Sequence, residues 1–328
     1  MALLMDWLQK ILLSSLIILV NGGILILSLS WLGGPPLSEE LYNAPESEVI
    51  EIRVEKSGTQ AILPPEEKKI PPREEKKTQQ ASISLPRENT QPAEPASAPI
   101  PEALIYDYGL KSSVNLLCKA SPSEYVVATG AIIDSRGYII SNAHVAEEAD
   151  TKEPCTIRRG SPAKPFATAT LIYTPISYKN ATSEEEKARS DFSIWQINGP
   201  GEYSMWELEY KKPFFKNEPL LTLAYPAELL GNELVFKSLN LVFSKTYVEA
   251  TDTIIIRSTS NISSQRGSSG GALIDLYTMR IRGLIFAVSE NANIAEREIF
   301  SLTPKGINEI MQKETGTTLK EYLAGVSF

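Results

Sequence analysis

Between about residue 104 and residue 303, apolar and polar positions alternate in short runs broken by Gly, Pro, Asn and Asp. That period of two is the mark of half-buried strands. The runs predict strands at 112–119, 124–133, 138–141, 155–159, 166–174 and 191–197, then at 219–225, 234–246, 252–258, 271–276, 281–289 and 297–302. An all-β barrel or sandwich follows from so many short strands with turns between them. Two places change period. ATSEEEKARS at 181–190 sets Ser183 three residues ahead of Glu186, a capping box for one helical turn. TPKGINEIMQKETG places Ile307, Ile310 and Met311 at helical spacing and stops at Gly316, which predicts a terminal helix.

Ahead of this region the pattern is different. Residues 11–32 carry no charge, enough length at about 1.5 Å per residue to cross a hydrocarbon core of about 30 Å. No small-residue cleavage site follows, so an uncleaved transmembrane anchor is expected, preceded by a short flank at 1–10. Lys10 lies on the near side and an acidic run on the far side, which orients the chain with its N-terminus in the cytoplasm. The expected localisation is then the inner cell membrane, single-pass, with the bulk of the chain outside the cytoplasm. Residues 33–103 hold 12 of the 22 prolines and few aromatic side chains, the composition of a disordered linker. Within it EVIEIRVE at 48–55 alternates Ile50, Ile52 and Val54, a pattern able to add to a sheet edge. The expected domain is residues 104–328.

A formal charge of −8 provides no basic field for nucleic acid. One histidine and two cysteines cannot build an ordinary Cys/His zinc site, so no metal and no cofactor is expected. Cys118 and Cys155 are either a disulfide or two buried thiols.

Candidate chemistry gathers at three places. Ser264-Gln265-Arg266-Gly267-Ser268-Ser269-Gly270-Gly271-Ala272 reads G-x-S-G-G between two strand-like runs. A serine hydroxyl needs a base to take its proton and donors to hold the oxyanion, and glycine lets main-chain N–H groups turn toward one point. VVATGAIIDSRGYIISNAHV at 126–145 ends near His144, the only histidine, and SDFSIWQI at 190–197 opens on Asp191. Asp150 is the other acid near the histidine, in an acidic run with Glu147 and Glu148.

The order His144, Asp191, Ser269 resembles chymotrypsin-like serine proteases. The motifs GAIIDSRGYIISNAHV, DFSIWQI, LAYP and RGSSGGALID resemble bacterial HtrA-type trypsin-like peptidases more closely, over roughly residues 110–303. The resemblance implies a double six-stranded β-barrel with the site in the cleft between barrels. Together with the anchor expected at 11–32, it implies a membrane-anchored serine endopeptidase acting on protein or peptide substrates through a His144-Asp191-Ser269 triad, with Gly267 and Ser269 N–H groups as the oxyanion hole. It also puts Ser263 at the base of the primary pocket and Phe286, Ala287 and Val288 along one wall, which favours a small or medium apolar residue before the cut. Digestive members carry Asp just before the nucleophile where this chain has Ser268, so activation by a new N-terminus is not expected. Only 25 residues follow Thr303, which leaves no room for a C-terminal PDZ module. A catalytically silent binding module on a membrane stalk and a serine esterase are the alternatives. Oligomeric state is not legible.

Overall fold

The computed structural model describes residues 18–20, 23–25, 51–54 and 98–326. The chain divides into two units, residues 1–47 and 48–328. In the first, β1 (Ile18–Val20) pairs antiparallel with β2 (Gly23–Leu25), Val20 opposite Gly23. The described part of 11–32 is therefore strand, and no helix among the described residues is long and apolar enough to cross a membrane. This corrects the expected transmembrane helix, and with it the anchored endopeptidase, the membrane partner and the inner-membrane placement. The sequence contains the physical reason. Asn21-Gly22 is the dipeptide that two-residue hairpins favour, β-branched residues suit the flanking strands, and each glycine costs a helix interior about 1 kcal/mol. The remainder of 11–32 lies outside the described residues, as does the expected linker apart from 51–54 and 98–103.

The second unit is an all-β double barrel closed by C-terminal helices. β3 (Glu51–Val54) precedes α1 (Glu102–Ser112), which leads into the first barrel: β4 (Ser113–Ser121), β5 (Glu124–Asp134), β6 (Tyr138–Ser141), β7 (Cys155–Arg159), β8 (Lys164–Tyr173) and β9 (Ser193–Ile197). Sheet order is β5-β4-β7-β8-β9-β6, and β5 pairs again with β6 to close the ring. β6 covers only Ala131–Asp134 of the long strand β5, and β3 pairs in parallel with Glu124–Val127. The linker's alternating segment thus fills a stretch of edge that the short strand β6 does not reach. Val114, Leu116, Val126, Ala128, Ile139 and Trp195 form the apolar cluster of this barrel. Cys118 on β4 and Cys155 on β7 are disulfide-bonded within the same cluster, 37 residues apart in sequence. In the chain-entropy model such a loop contributes about 3–4 kcal/mol.

β10 (Pro219–Ala224), β11 (Val242–Thr251), β12 (Ile255–Ser258), β13 (Ala272–Asp275), β14 (Ile281–Val288) and β15 (Ile299–Leu302) close the second barrel in the order β10-β11-β12-β15-β14-β13. The strand expected at 234–246 is instead a helix, Asn232–Ser238, followed by β11. Arg158 on β7 explains why that short helix holds. Its buried guanidinium donates to the Val235 carbonyl at 2.8 Å and so satisfies a group that a helix C-terminus leaves open. Burial lowers the Arg158 pKa to about 10. No helix is expected from the sequence ahead of the strand at 112–119, yet α1 forms there. Its buried residues Ile105, Gly109 and Ser112 follow helical spacing, and Gly109 sits against Leu223 and Leu241 of the second barrel. After β15, Thr303 caps the helix Pro304–Thr315, Gly316 ends it in the left-handed region at φ 76°, and a capping box at Thr318 and Glu321 starts Leu319–Gly325.

Candidate active site

The pairing of β6 with β9 sets the histidine beside the acid. Ser141 opposes Ser193, so the chain leaving β6 and the chain entering β9 lie side by side, with His144 on one and Asp191 on the other. Asp191 is buried, and its carboxylate accepts twice from His144: the main-chain N–H at 3.0 Å and ring Nδ1 at 2.6 Å. An ionised carboxylate only accepts, so Nδ1 carries the proton of the neutral imidazole and Nε2 has the lone pair. The acid is itself fixed. Asn142 donates to the Asp191 carbonyl at 2.8 Å, Ser193 donates to the Asn142 carbonyl at 2.6 Å, and Trp195 Nε1 donates to Ser193 Oγ at 2.9 Å. Asp150, the alternative acid, is exposed, accepting from the Lys152 N–H.

A loop from the preceding insertion closes against this pair. Tyr178, on the turn Ile176–Lys179, donates to Glu147 at 2.7 Å. Burial, followed by the negative charge of Asp191, pushes its phenol far above the usual range, so it remains a donor. Ser183 caps the helix Glu184–Arg189 by accepting from Glu186 N–H, and the Glu186 carboxylate accepts from Thr182 N–H at 2.8 Å.

The serine loop consists of two successive type II turns. Ser268 N–H donates to the Gln265 carbonyl at 3.2 Å with Gly267 at φ 90°, and Gly271 N–H donates to the Ser268 carbonyl at 2.8 Å with Gly270 at φ 80°. Both glycines occupy the turn position that requires positive φ. At Gly270 an added Cβ would also collide with the Thr129 carbonyl and the Ser141 hydroxyl, so the loop packs directly on the β5–β6 pair that leads to His144. Thr129 N–H donates to the Ser269 carbonyl at 2.8 Å, and its hydroxyl donates to the Gly267 carbonyl at 2.8 Å. The Arg266 carbonyl accepts from Ala227 N–H at 2.9 Å. Because C=O and N–H point opposite ways in a planar trans peptide, the Gly267 N–H is turned away from Ala227. Among the described residues, neither Gly267 N–H nor Ser269 N–H donates to a protein acceptor.

Beside Ser269 lies a cavity of about 10 Å³, lined by Gln265, Arg266, Ile285, Phe286, Ala287 and Val288. Ser263 is not among its walls. It is buried, with its hydroxyl 3.0 Å from that of Thr222. Ser268 is buried too, its hydroxyl without a partner among the described residues. Thr129, Asn142, Ser193 and the pair Glu228 and Arg297 escaped the sequence reading. Their contacts span strands and loops distant in the chain, and no local pattern carries that signal.

Residues 128–284 match the trypsin-like peptidase domain family. Among solved structures, the chain is similar to the serine endoprotease from Yersinia pestis, at 17% identity over 66% of this chain and 67% of that one, with a TM-score of 0.49. It is also similar to the MamO protease domain from Magnetospirillum magneticum in its apo form, at 12% identity over 62% and 96%, with a TM-score of 0.45. No curated protein matches the chain. The double barrel and the family match together define a trypsin-like serine-protease domain of the chymotrypsin fold. It is a serine-type endopeptidase fold, with His144 and Asp191 joined as a hydrogen-bonded pair.

Proposed function

We propose that this domain hydrolyses peptide bonds with Ser269 as nucleophile, His144 as general base and Asp191 as the group that orients the imidazole. The observation that carries the reading is the double hydrogen bond of Asp191 to His144 N–H and Nδ1, which leaves Nε2 as the basic nitrogen. On this reading Nε2 takes the Ser269 proton as Oγ attacks the peptide carbonyl and returns it to the leaving amine. Water then cleaves the acyl-enzyme by the same route. Gly267 and Ser269 N–H groups hold the oxyanion, each contributing about 3 kcal/mol in comparable sites. The small cavity lined by Phe286, Ala287 and Val288 favours a small apolar residue before the cut. The finer assignment to HtrA-type peptidases rests on the four motifs from GAIIDSRGYIISNAHV to RGSSGGALID.

The test uses the single histidine. Ser269→Ala abolishes labelling by a fluorophosphonate probe with the circular dichroism spectrum intact, and His144→Ala lowers turnover of β-casein by roughly 10⁴-fold, since triad members act as a unit. Acylation rises with pH as the imidazole loses its proton and Nε2 becomes able to accept the one from Ser269. A folded His144→Ala chain with wild-type turnover, or labelling that survives Ser269→Ala, overturns the assignment.

A further inference from the structure

The residue before Ser269 is an uncharged, buried serine, so no ion pair at that position can fix the loop. Another pair reaches the same turn from the opposite side. Glu228 follows β10 and Arg297 lies in the β14–β15 connection, 69 residues away. They meet as a fork: Arg297 Nη1 donates to Glu228 Oε2 at 2.6 Å and Nη2 to Oε1 at 2.9 Å. Such bidentate pairs set geometry as well as charge. The pair is largely shielded, with side-chain exposures of 12% for Arg297 and 22% for Glu228. The Arg297 hydrogen bonds hold the Glu228 carboxyl below the usual range despite its burial.

Each partner also grips the serine loop. Glu228 Oε2 accepts the Arg266 N–H at 3.1 Å, and Arg297 Nη1 donates to the Ser264 carbonyl at 3.1 Å. Ala227, next to Glu228, holds the Arg266 carbonyl. Both main-chain polar groups of Arg266 are therefore bound to the 227–228 segment, and Arg266 heads the peptide that carries the Gly267 N–H. Rotation of that peptide would turn the N–H away from the substrate carbonyl. We propose that the Glu228–Arg297 pair is a positioning clamp that keeps the Arg266–Gly267 peptide in the orientation required of an oxyanion donor. The inference rests on Ser269 being the nucleophile. Glu228 and Arg297 touch no reacting atom. They line an open cavity of about 390 Å³ that shares Arg266 and Val288 with the small cavity at Ser269.

The full chain is tested as wild type and as Glu228→Ala, Glu228→Gln, Arg297→Ala and Arg297→Lys. Glu228→Ala and Arg297→Ala slow fluorophosphonate labelling and kcat on β-casein by roughly 10–100-fold, short of the full loss of one oxyanion donor, with KM within about threefold. Glu228→Gln keeps an acceptor oxygen and Arg297→Lys a single donor in place of the fork, so both fall between the alanine variants and wild type. Hydrogen exchange rises in peptides spanning 262–270 and stays unchanged in β4, β5 and β13. If the alanine variants fail to fold, the Gln and Lys variants decide by the same readouts. Labelling within twofold of wild type with unchanged exchange overturns the clamp, and so does a rise in KM without a fall in kcat. A wild-type chain that neither labels nor hydrolyses overturns the serine-protease reading alone. In that case accelerated exchange confined to 262–270 supports the clamp and unchanged exchange overturns it.

Discussion

Thr129 is where a strand of the first barrel takes hold of the serine loop. Its hydroxyl donates to the Gly267 carbonyl and accepts from Tyr225 N–H at 2.9 Å, its main-chain N–H donates to Ser269, and its carbonyl accepts from Ser141. Valine has the same shape without the hydroxyl. Thr129→Val strands a buried carbonyl and a buried N–H, at a cost of about 1–3 kcal/mol for each group left unpaired. The expected outcome is a lower urea midpoint and slower fluorophosphonate labelling, with Thr129→Ser restoring most of both. Equal midpoints for Val and wild type would show the hydroxyl to be dispensable. Nothing in the stretch VVATGAII marks this threonine, because its partners lie 96 and 138 residues away. His144 and the glycines of the serine loop are legible for the opposite reason. A lone histidine and a G-x-S-G-G turn carry their chemistry locally. Ser263 shows where spacing fails: it lies six residues before Ser269, yet its side chain turns to Thr222 inside the barrel instead of lining the cavity.

Among elements, β6 and β7 fall on the ranges expected for them, 138–141 and 155–159, because turn residues bound both runs. Other short apolar runs were not legible. NELVFKS fits strand or helix by periodicity, and the choice was settled by Arg158 at its C-terminal end, a residue of another strand. The insertion between β8 and β9 shows the same dependence on distant partners. Glu314, on the helix Pro304–Thr315, accepts from Tyr173 Oη at 2.7 Å and from Ile176 and Ser177 N–H at 2.8 Å each. Partial burial alone would raise its pKa, but these donors more than offset that and lower it. A carboxyl with a depressed folded-state pKa stabilises the fold above the ordinary carboxylate range, near 4.3, and that contribution is lost as pH falls through the folded value. Glu314→Gln should therefore destabilise the chain by about 1 kcal/mol at pH 7, a figure kept low because the group is partly exposed. The difference from wild type should shrink between pH 5 and pH 3. Urea unfolding at those pH values measures it, and a difference that grows in acid would contradict the assignment.

At the scale of the molecule, the start of the folded domain is a question of which edges are covered. Ile100 N–H donates to the Leu276 carbonyl at 2.7 Å, so the chain joins the second barrel ahead of residue 104. α1 then packs on that barrel through Gly109 before entering β4 of the first, which ties the two barrels through one continuous element. A fragment of residues 98–328 retains both closed barrels, the His144–Asp191 pair and the serine loop with its clamp. It should label with fluorophosphonate at a rate within about threefold of the full chain. What it loses is β3, and with it the partner of Glu124–Val127. An uncovered strand edge offers free N–H and C=O groups to another chain, so the fragment should self-associate more than the full chain at equal concentration. A synthetic peptide of residues 48–55 supplies the missing strand and should reverse that association without changing the labelling rate. Light scattering after size-exclusion chromatography reads both effects. A fragment that stays as monomeric as the full chain would show that β3 does not protect this edge, and a fragment that fails to fold would place the domain boundary upstream of residue 98.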